Sequence, residues 1–289
     1  MVSSRKVLII GDRGYLGAAF SSYFSKTWDL LLNSELSTDR RFDSASSLVD
    51  MINNLTELDI ELVLFCAGLN QSACLNQNPD LINVNWPFRV AQSVLMTTNT
   101  RIIFFSSIHA FKMDKHKKYS GIIDIDDIAD GPYGKSKAKM EIALDQLVSS
   151  QESKNRILIL RLSNVFGIDK AANKKGSGLA INSFLYALRS GERSLLLDPH
   201  ASRSLVPLSM LIDLIAKLKD QDWNYSLLNV GTEHFFYLRS LHDIIFGRST
   251  RLERDARYIF LYSAGAPMIT DDNIYESLLS EVESSETRL

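Results

Sequence analysis

Tyr133 and Lys137 stand four residues apart in the stretch Gly131-Pro132-Tyr133-Gly134-Lys135-Ser136-Lys137-Ala138-Lys139-Met140-Glu141. On a helix that spacing is one turn, so the phenol and the ammonium face the same side. A lysine charge beside a phenol favours the phenolate and lowers the tyrosine pKa from about 10. Such a tyrosine exchanges a proton with a carbonyl or an alcohol near neutral pH. The pair by itself is a weak signal, because any exposed helix can carry it. Its meaning rests on the elements that position it.

Those elements begin with Val7 to Ile10, a short apolar run stopped by glycine that reads as a buried strand. Gly11-Asp12-Arg13-Gly14-Tyr15-Leu16-Gly17 follows, then a helical pattern to about Lys26. Glycines spaced this way between a first strand and a first helix turn the backbone tightly and let it approach a pyrophosphate at the helix N-terminus. Gly11, Arg13, Gly14, Tyr15 and Leu16 are therefore expected to line a dinucleotide. Leu30 to Leu32 reads as the second strand and Asn33 ends it, where folds that select NAD place a carboxylate on the adenosine ribose. Neutral Asn33 does not repel a 2′-phosphate. Arg13, with Arg40 or Arg41, can attract one, or these arginines are simply solvated loop charges. The expectation is NADP(H), with NAD(H) open.

Arg41 to Asp43 reads as a short third strand, Asp43 being placed to accept from an adenine amino group. A helix around Ser46–Leu55 leads to a strand at Leu62 to Cys66, where the small Ala67 and Gly68 leave room for a cofactor. Pro79–Met96 is helical; within it Asn83 reaches towards the site or, equally well, caps a helix start. Ile102 to Phe105 is the next strand and delivers Ser106 and Ser107 to the same sheet edge. Ile157 to Leu160 is the sixth strand, and Ala171 to Gly178 reads as a loop rich in lysine and glycine. Leu179–Arg189 reads as a helix, Ser194 to Leu197 as a strand, Ser209–Lys219 as an amphipathic helix and Leu227 to Gly231 as a last sheet strand. Asp271 onward reads as a final helix with a frayed tail. Alternating strands and helices imply a parallel sheet with right-handed crossovers.

Bulk properties bound the function. The chain of 289 residues with a net charge of −2 offers no electrostatic case for nucleic acid. Two cysteines, Cys66 and Cys74, cannot form a disulfide framework, and Cys66 reads as a core residue. No apolar run approaches the roughly 20 residues of a membrane span, and the run near the N-terminus is short for a signal peptide. A cytoplasmic location and no metal site are the defaults.

In this order the pieces resemble the extended short-chain dehydrogenase/reductase family, whose members modify nucleotide-linked sugars. The match runs from the Gly11–Gly17 loop through Ala67-Gly68, Asn83-Val84, Ser106-Ser107, Tyr133 to Lys137 and Arg161 to Gly167. Arg203 and Asn229-Val230-Gly231 extend it, so it covers about residues 5–235. The resemblance implies Tyr133 as proton donor or acceptor, Lys137 on the nicotinamide ribose, and Ser107 on the substrate oxygen. It implies Asn164 and Arg203 at the substrate nucleotide or its diphosphate, although Arg203 reads equally as a structural ion pair. It also implies a homodimer through the helices at Pro87–Met96 and Tyr133–Val148.

Departures from the family narrow the expectation. Dehydratases carry an Asp-Glu pair just after the active-site serine or threonine; here Ile108-His109 stand there, so elimination is not expected. The cysteine and histidine with which GDP-fucose synthases epimerise are also missing, at Ile108 and about Asp169. The acidic pair that usually follows the Arg203 position is replaced by Ser209-Met210. The expected fold is a doubly wound α/β protein: a Rossmann domain over residues 1–167, completed by about 205–235. A smaller C-terminal substrate-binding lobe would draw on 168–204 and 236–289, with substrate at the carboxyl ends of the strands. The expected activity is NADPH-dependent reduction of a 4-keto nucleotide sugar, as in dTDP-4-dehydrorhamnose reductases. A nucleotide-sugar 4-epimerase that retains NAD is the rival enzyme, and a cofactor-binding regulatory subunit is the rival without catalysis.

Overall fold

A computed structural model describes residues 6–32, 59–112, 123, 125–149, 156–167, 179–223, 227–259 and 268–286. In the first part of the chain the elements are β1 (Lys6–Ile10), α1 (Tyr15–Phe24), β2 (Asp29–Leu32), β3 (Ile60–Phe65), α2 (Trp86–Thr97), β4 (Arg101–Ser107), α3 (Pro132–Ser149) and β5 (Ile157–Leu162). Then come β6 (Asn164–Phe166), α4 (Ala180–Ser190), β7 (Ser202–Arg203), β8 (Leu205–Pro207), α5 (Leu208–Asp220) and β9 (Leu227–Val230). β10 (His234–Tyr237), α6 (Leu238–Ile245), β11 (Arg254–Ile259) and α7 (Asp271–Glu286) complete the chain. The strand and helix expected at Arg41 to Asp43 and Ser46–Leu55, the loop at Ala171 to Gly178, and Asn33 and Asp43 lie outside the described residues.

Among the described residues six strands form one sheet in the order β2-β1-β3-β4-β5-β9, and β1 pairs in parallel with β2 and with β3, as β3 does with β4. Alternate strand residues serve opposite faces. Phe104 of β4 joins the core that Val90 and Val94 of α2 and Leu144 and Val148 of α3 build on one face. Phe105, the next residue, meets Phe20 of α1 on the other, ring centroids 5.6 Å apart. Helices thus cover both faces, which is why these strands read as unbroken apolar runs. The strand order reverses direction at β1, between β2 and β3, the kind of switch point where such folds bind ligands.

The chain falls into two compact units. The first draws on Met1–Lys112, Ile122–Leu160 and Leu218–Leu227, and the second on Met113–Gly121, Arg161–Lys217 and Leu228–Leu289. Within the second, β6 pairs in parallel with β8, and β10 pairs antiparallel with β7 and β11. α4 ends at Gly191 in the left-handed conformation and packs on α6 and α7, with Arg189 paired to Glu281 at 3.3 Å.

Two expectations change. Ser194 to Leu197 forms no strand; Leu195 and Leu197 are 75% and 85% exposed, and a β-prone run becomes a strand only where an edge takes its backbone. Cys66, read as core, stands just past the carboxyl end of β3, where the residue as a whole is partly exposed while burial pushes its thiol up. No described helix is long and apolar enough to cross a membrane.

Candidate active site

The tyrosine helix α3 is held against β4 by three consecutive strand residues. The Phe105 carbonyl accepts from Lys137 Nζ at 2.9 Å, Ser106 Oγ donates to Glu141 Oε1, and the Ser107 side chain hydrogen-bonds Tyr133. Ser107 Oγ also accepts from the His109 amide at 3.2 Å, which leaves its own proton for the phenol or for a substrate oxygen. Gly134 makes this approach possible. A Cβ there would lie 2.2 Å from the His109 carbonyl oxygen and 2.6 Å from Ala129 Cβ, so α3 meets the turn Ile108–Ala110 only because residue 134 has no side chain.

Lys137 is 7% exposed. Burial holds its ammonium down to about 8, against an upward pull led by Glu141. Tyr133 moves opposite to the direction expected from a neighbouring lysine. Burial pushes its phenol above the ordinary value, and the Ser107 hydrogen bond only partly counters that. Lys137 Nζ is 6.0 Å from the Tyr133 ring centre and is directed to the Phe105 carbonyl instead. Tyr133 is therefore a protonated donor at neutral pH.

At the switch point the glycine loop lies against the end of β3. Gly11 has a φ of +85°, and a Cβ there would come within 2.5 Å of the Ala67 nitrogen. At Gly17 it would lie 2.2 Å from the Gly11 carbonyl oxygen. Gly14, the N-cap of α1, is exposed and brings no side chain to cover the helix's first donors. Gly68 faces Lys137: its missing Cβ would sit 3.6 Å from Nζ and 3.2 Å from Asn83 Oδ1. A side-chain-free floor, an uncapped helix N-terminus and a buried ammonium fit a dinucleotide's diphosphate and ribose. Arg13 is exposed on the same loop, and Tyr15 and Leu16 open the helix.

Asn83 belongs to a π-helical turn, Leu81–Asn85, that runs into α2. π-Turns are frequent at functional sites because the extra residue redirects a side chain. Here Asn83 Oδ1 accepts from the Leu69 amide at 2.7 Å, and Nδ2 donates to the Leu69 carbonyl at 3.2 Å and to Ser136 Oγ at 3.0 Å. It ties the segment after Gly68 to the tyrosine helix rather than capping a helix. Ser136, which passes the contact on to the Tyr133 carbonyl at 2.8 Å, and Glu141 were missed from sequence. The spacing of Glu141, one turn beyond Lys137, was the available signal.

Asn164 and Arg203 lie in the second unit. The Asn164 side chain donates to the Ser204 carbonyl at 3.2 Å, beside the paired β6 and β8. Arg203 Nη1 donates to the Ser202 carbonyl at 2.8 Å, and burial lowers its pKa. No carboxylate pairs with Arg203 among the described residues, although Asp198 lies close enough to favour its charge.

The family profile described as "NAD dependent epimerase/dehydratase family" matches residues 7–231. The chain belongs to that family. Membership makes it a nicotinamide-dependent enzyme of the extended short-chain dehydrogenase/reductase group, in keeping with the resemblance read from its motifs. No curated protein matches the chain significantly. Among solved structures it is similar to the UDP-N-acetylglucosamine 4-epimerase of Methanobrevibacter ruminantium in complex with UDP-N-acetylmuramic acid, with 17% identity, 99% of each chain covered and a TM-score of 0.74. It is also similar to the UDP-glucose 4-epimerase of Thermotoga maritima with UDP-glucose, with 17% identity, 98% of this chain and 99% of that one covered, and a TM-score of 0.73. The dTDP-4-dehydrorhamnose reductase of Bacillus anthracis in complex with NADP aligns over 100% of both chains at 15% identity and a TM-score of 0.70. These likenesses establish the family's fold in this chain.

Proposed function

We propose that the protein reduces a 4-keto sugar linked to a nucleotide, with NADPH as reductant and Tyr133 as proton donor. The observation that supports this most is the Ser107–Tyr133–Lys137 set on adjoining β4 and α3. When bound, the reduced nicotinamide supplies hydride to the carbonyl carbon. Tyr133, kept protonated by burial, gives its proton to the oxygen as charge develops there. Ser107 donates to the same oxygen, a stabilisation that matters most as the charge forms. Lys137, held by the Phe105 carbonyl, offers its remaining donors to the ribose hydroxyls. Arg13 takes the 2′-phosphate, and Asn164 and Arg203 take the substrate's nucleotide and diphosphate. Ile108, 2% exposed, and His109 put no carboxylate where elimination requires one. Assembly is proposed to be a homodimer through α2 and α3.

A second reading, a 4-epimerase that keeps its NAD, is favoured by the likeness to two 4-epimerases over at least 98% of this chain. The two separate in one experiment. Nucleotide released from the purified protein is identified by mass spectrometry, and the protein is then titrated with NADPH and NADH. Tighter NADPH binding with no retained nucleotide is the reductase result, and NAD carried through purification is the epimerase result. Binding of neither returns the regulatory-subunit reading. Tyr133→Phe is expected to reduce turnover at least about 100-fold, the usual contribution of a positioned acid, with cofactor affinity nearly unchanged.

A further inference from the structure

Ser136 stands just before Lys137 on α3, is fully buried, and takes no part in the proton transfer at Tyr133. Its hydroxyl has one proton, which it donates to the Tyr133 carbonyl at 2.8 Å. Towards Asn83 it is therefore an acceptor only. That fixes which end of the buried Asn83 amide faces α3: Nδ2 points to Ser136 Oγ at 3.0 Å, and Oδ1 takes the Leu69 amide at 2.7 Å. A reversed amide would set oxygen against the Ser136 oxygen and a donor against the Leu69 N–H. Asn83 Nδ2 also donates to the Leu69 carbonyl at 3.2 Å, so both main-chain polar groups of Leu69 hang on one side chain. Leu69 follows Gly68, whose missing Cβ would lie 3.2 Å from Asn83 Oδ1 and 3.6 Å from Lys137 Nζ. We propose that Ser136 is a positioning residue: by orienting Asn83 it holds the Gly68-Leu69 segment beside Lys137 and so shapes the floor under the nicotinamide ribose. The proposal rests on the reading of Gly68 and Lys137 as cofactor contacts, and is the same for a reductase and for an epimerase.

Other ties between these elements do not replace the Ser136 hydroxyl. Cys74 Sγ lies 3.6 Å from Asn83 Nδ2, and a thiol is a weak acceptor. Lys139 of α3 pairs with Asp80, just before the π-turn, at 2.5 Å, but both side chains are exposed and such a pair contributes little. The bonds that fix Tyr133 and Lys137 to β4 run to Ser107 and to the Phe105 carbonyl, without Ser136. Loss of this one hydroxyl therefore leaves the tyrosine and lysine on their strand. It takes an acceptor from Asn83, which is 1% exposed, and a buried amide left short of a partner turns or shifts to find another. Leu69 and Gly68 move with it.

The test compares two probes on Ser136→Ala, Asn83→Ala and the double variant. NADPH or NADH, whichever the wild type binds tighter, reaches the ribose beside Lys137; 2′,5′-ADP or ADP, the matching fragment, ends at the diphosphate. Ser136→Ala is expected to weaken the whole cofactor about ten-fold, with the fragment bound as in wild type. Asn83→Ala is expected to weaken it at least as much, and the double variant no further, because Ser136 acts through Asn83. Whole-cofactor affinity unchanged in Ser136→Ala, equal losses for cofactor and fragment, or additive losses in the double variant would each overturn the proposal, the first even if the variant melts lower. If Ser136→Ala does not fold, Ser136→Cys decides, since it keeps the size and weakens the acceptor: a loss confined to the whole cofactor supports the role, and wild-type affinity rejects it. Failure of the cofactor reading shows separately, as wild-type protein that binds neither NADPH nor NADH.

Discussion

Lys137 loses its proton near pH 8 in the folded chain, against about 10.5 when exposed, and the sign of that shift has opposite consequences for activity and for stability. The ammonium proposed to meet the ribose disappears as pH rises through 8. kcat/KM, which reports the free enzyme, is therefore expected to fall on the alkaline side with a midpoint near 8. Stability runs the other way. Below 8 the lysine is charged in both states and the folded protein bears the full desolvation cost; from 8 to 10.5 the unfolded chain holds the extra proton, so folding gains with pH. Lys137→Met removes a penalty of about 3 kcal/mol and gives up about 1 kcal/mol of hydrogen bonding at the Phe105 carbonyl. The variant is expected to be about 2 kcal/mol more stable at pH 7 by urea denaturation, with the gap closing towards pH 10. A side chain proposed for catalysis that lowers stability fits the usual trade between activity and stability.

At the scale of elements, the distance between α3 and the turn Ile108–Ala110 sets the site. Gly134→Ala would push a methyl onto the His109 carbonyl oxygen and Ala129 Cβ, and neither backbone oxygen nor a short side chain can swing away. The helix must move, and with it Tyr133 relative to Ser107. A loss of about 1–3 kcal/mol in denaturant titration is expected, the range for overpacking, together with a fall in kcat larger than any change in cofactor affinity. Unchanged kcat would mean that the Ser107–Tyr133 hydrogen bond does not depend on this contact.

At the scale of the molecule, the family's cofactor is a ligand of the folded state alone and stabilises it by mass action. NADPH at 100 times its dissociation constant is expected to add about 2.7 kcal/mol and raise the melting temperature by several degrees. Gly17→Ala tests where that energy enters. Its Cβ would lie 2.2 Å from the Gly11 carbonyl oxygen and 2.9 Å from Asp12 Cα, so the loop cannot keep its path. The variant is expected to melt lower than wild type and to show no further rise with NADPH. A full NADPH-induced rise in Gly17→Ala would place the diphosphate elsewhere.

Local spacing and unbroken apolar runs determined the phenol and ammonium one turn apart, the glycines between first strand and first helix, and the parallel sheet. These are properties of neighbours along the chain, and a sequence states them directly. What faces Lys137 was not legible in that way. It meets the Phe105 carbonyl and the backbone at Gly68, and the shift of its pKa is a property of burial, which depends on everything packed around it. The same reason reversed the expected direction at Tyr133, where desolvation outweighs what one neighbour's charge suggested. It also left Ser194 to Leu197 without strand structure, because a strand requires a partner's edge and no local pattern supplies one. The sequence by itself determined the groups proposed for the chemistry and the fold that carries them; only the tertiary structure decided which of them meet and how far they are desolvated, because contact and desolvation are set by residues distant in the chain.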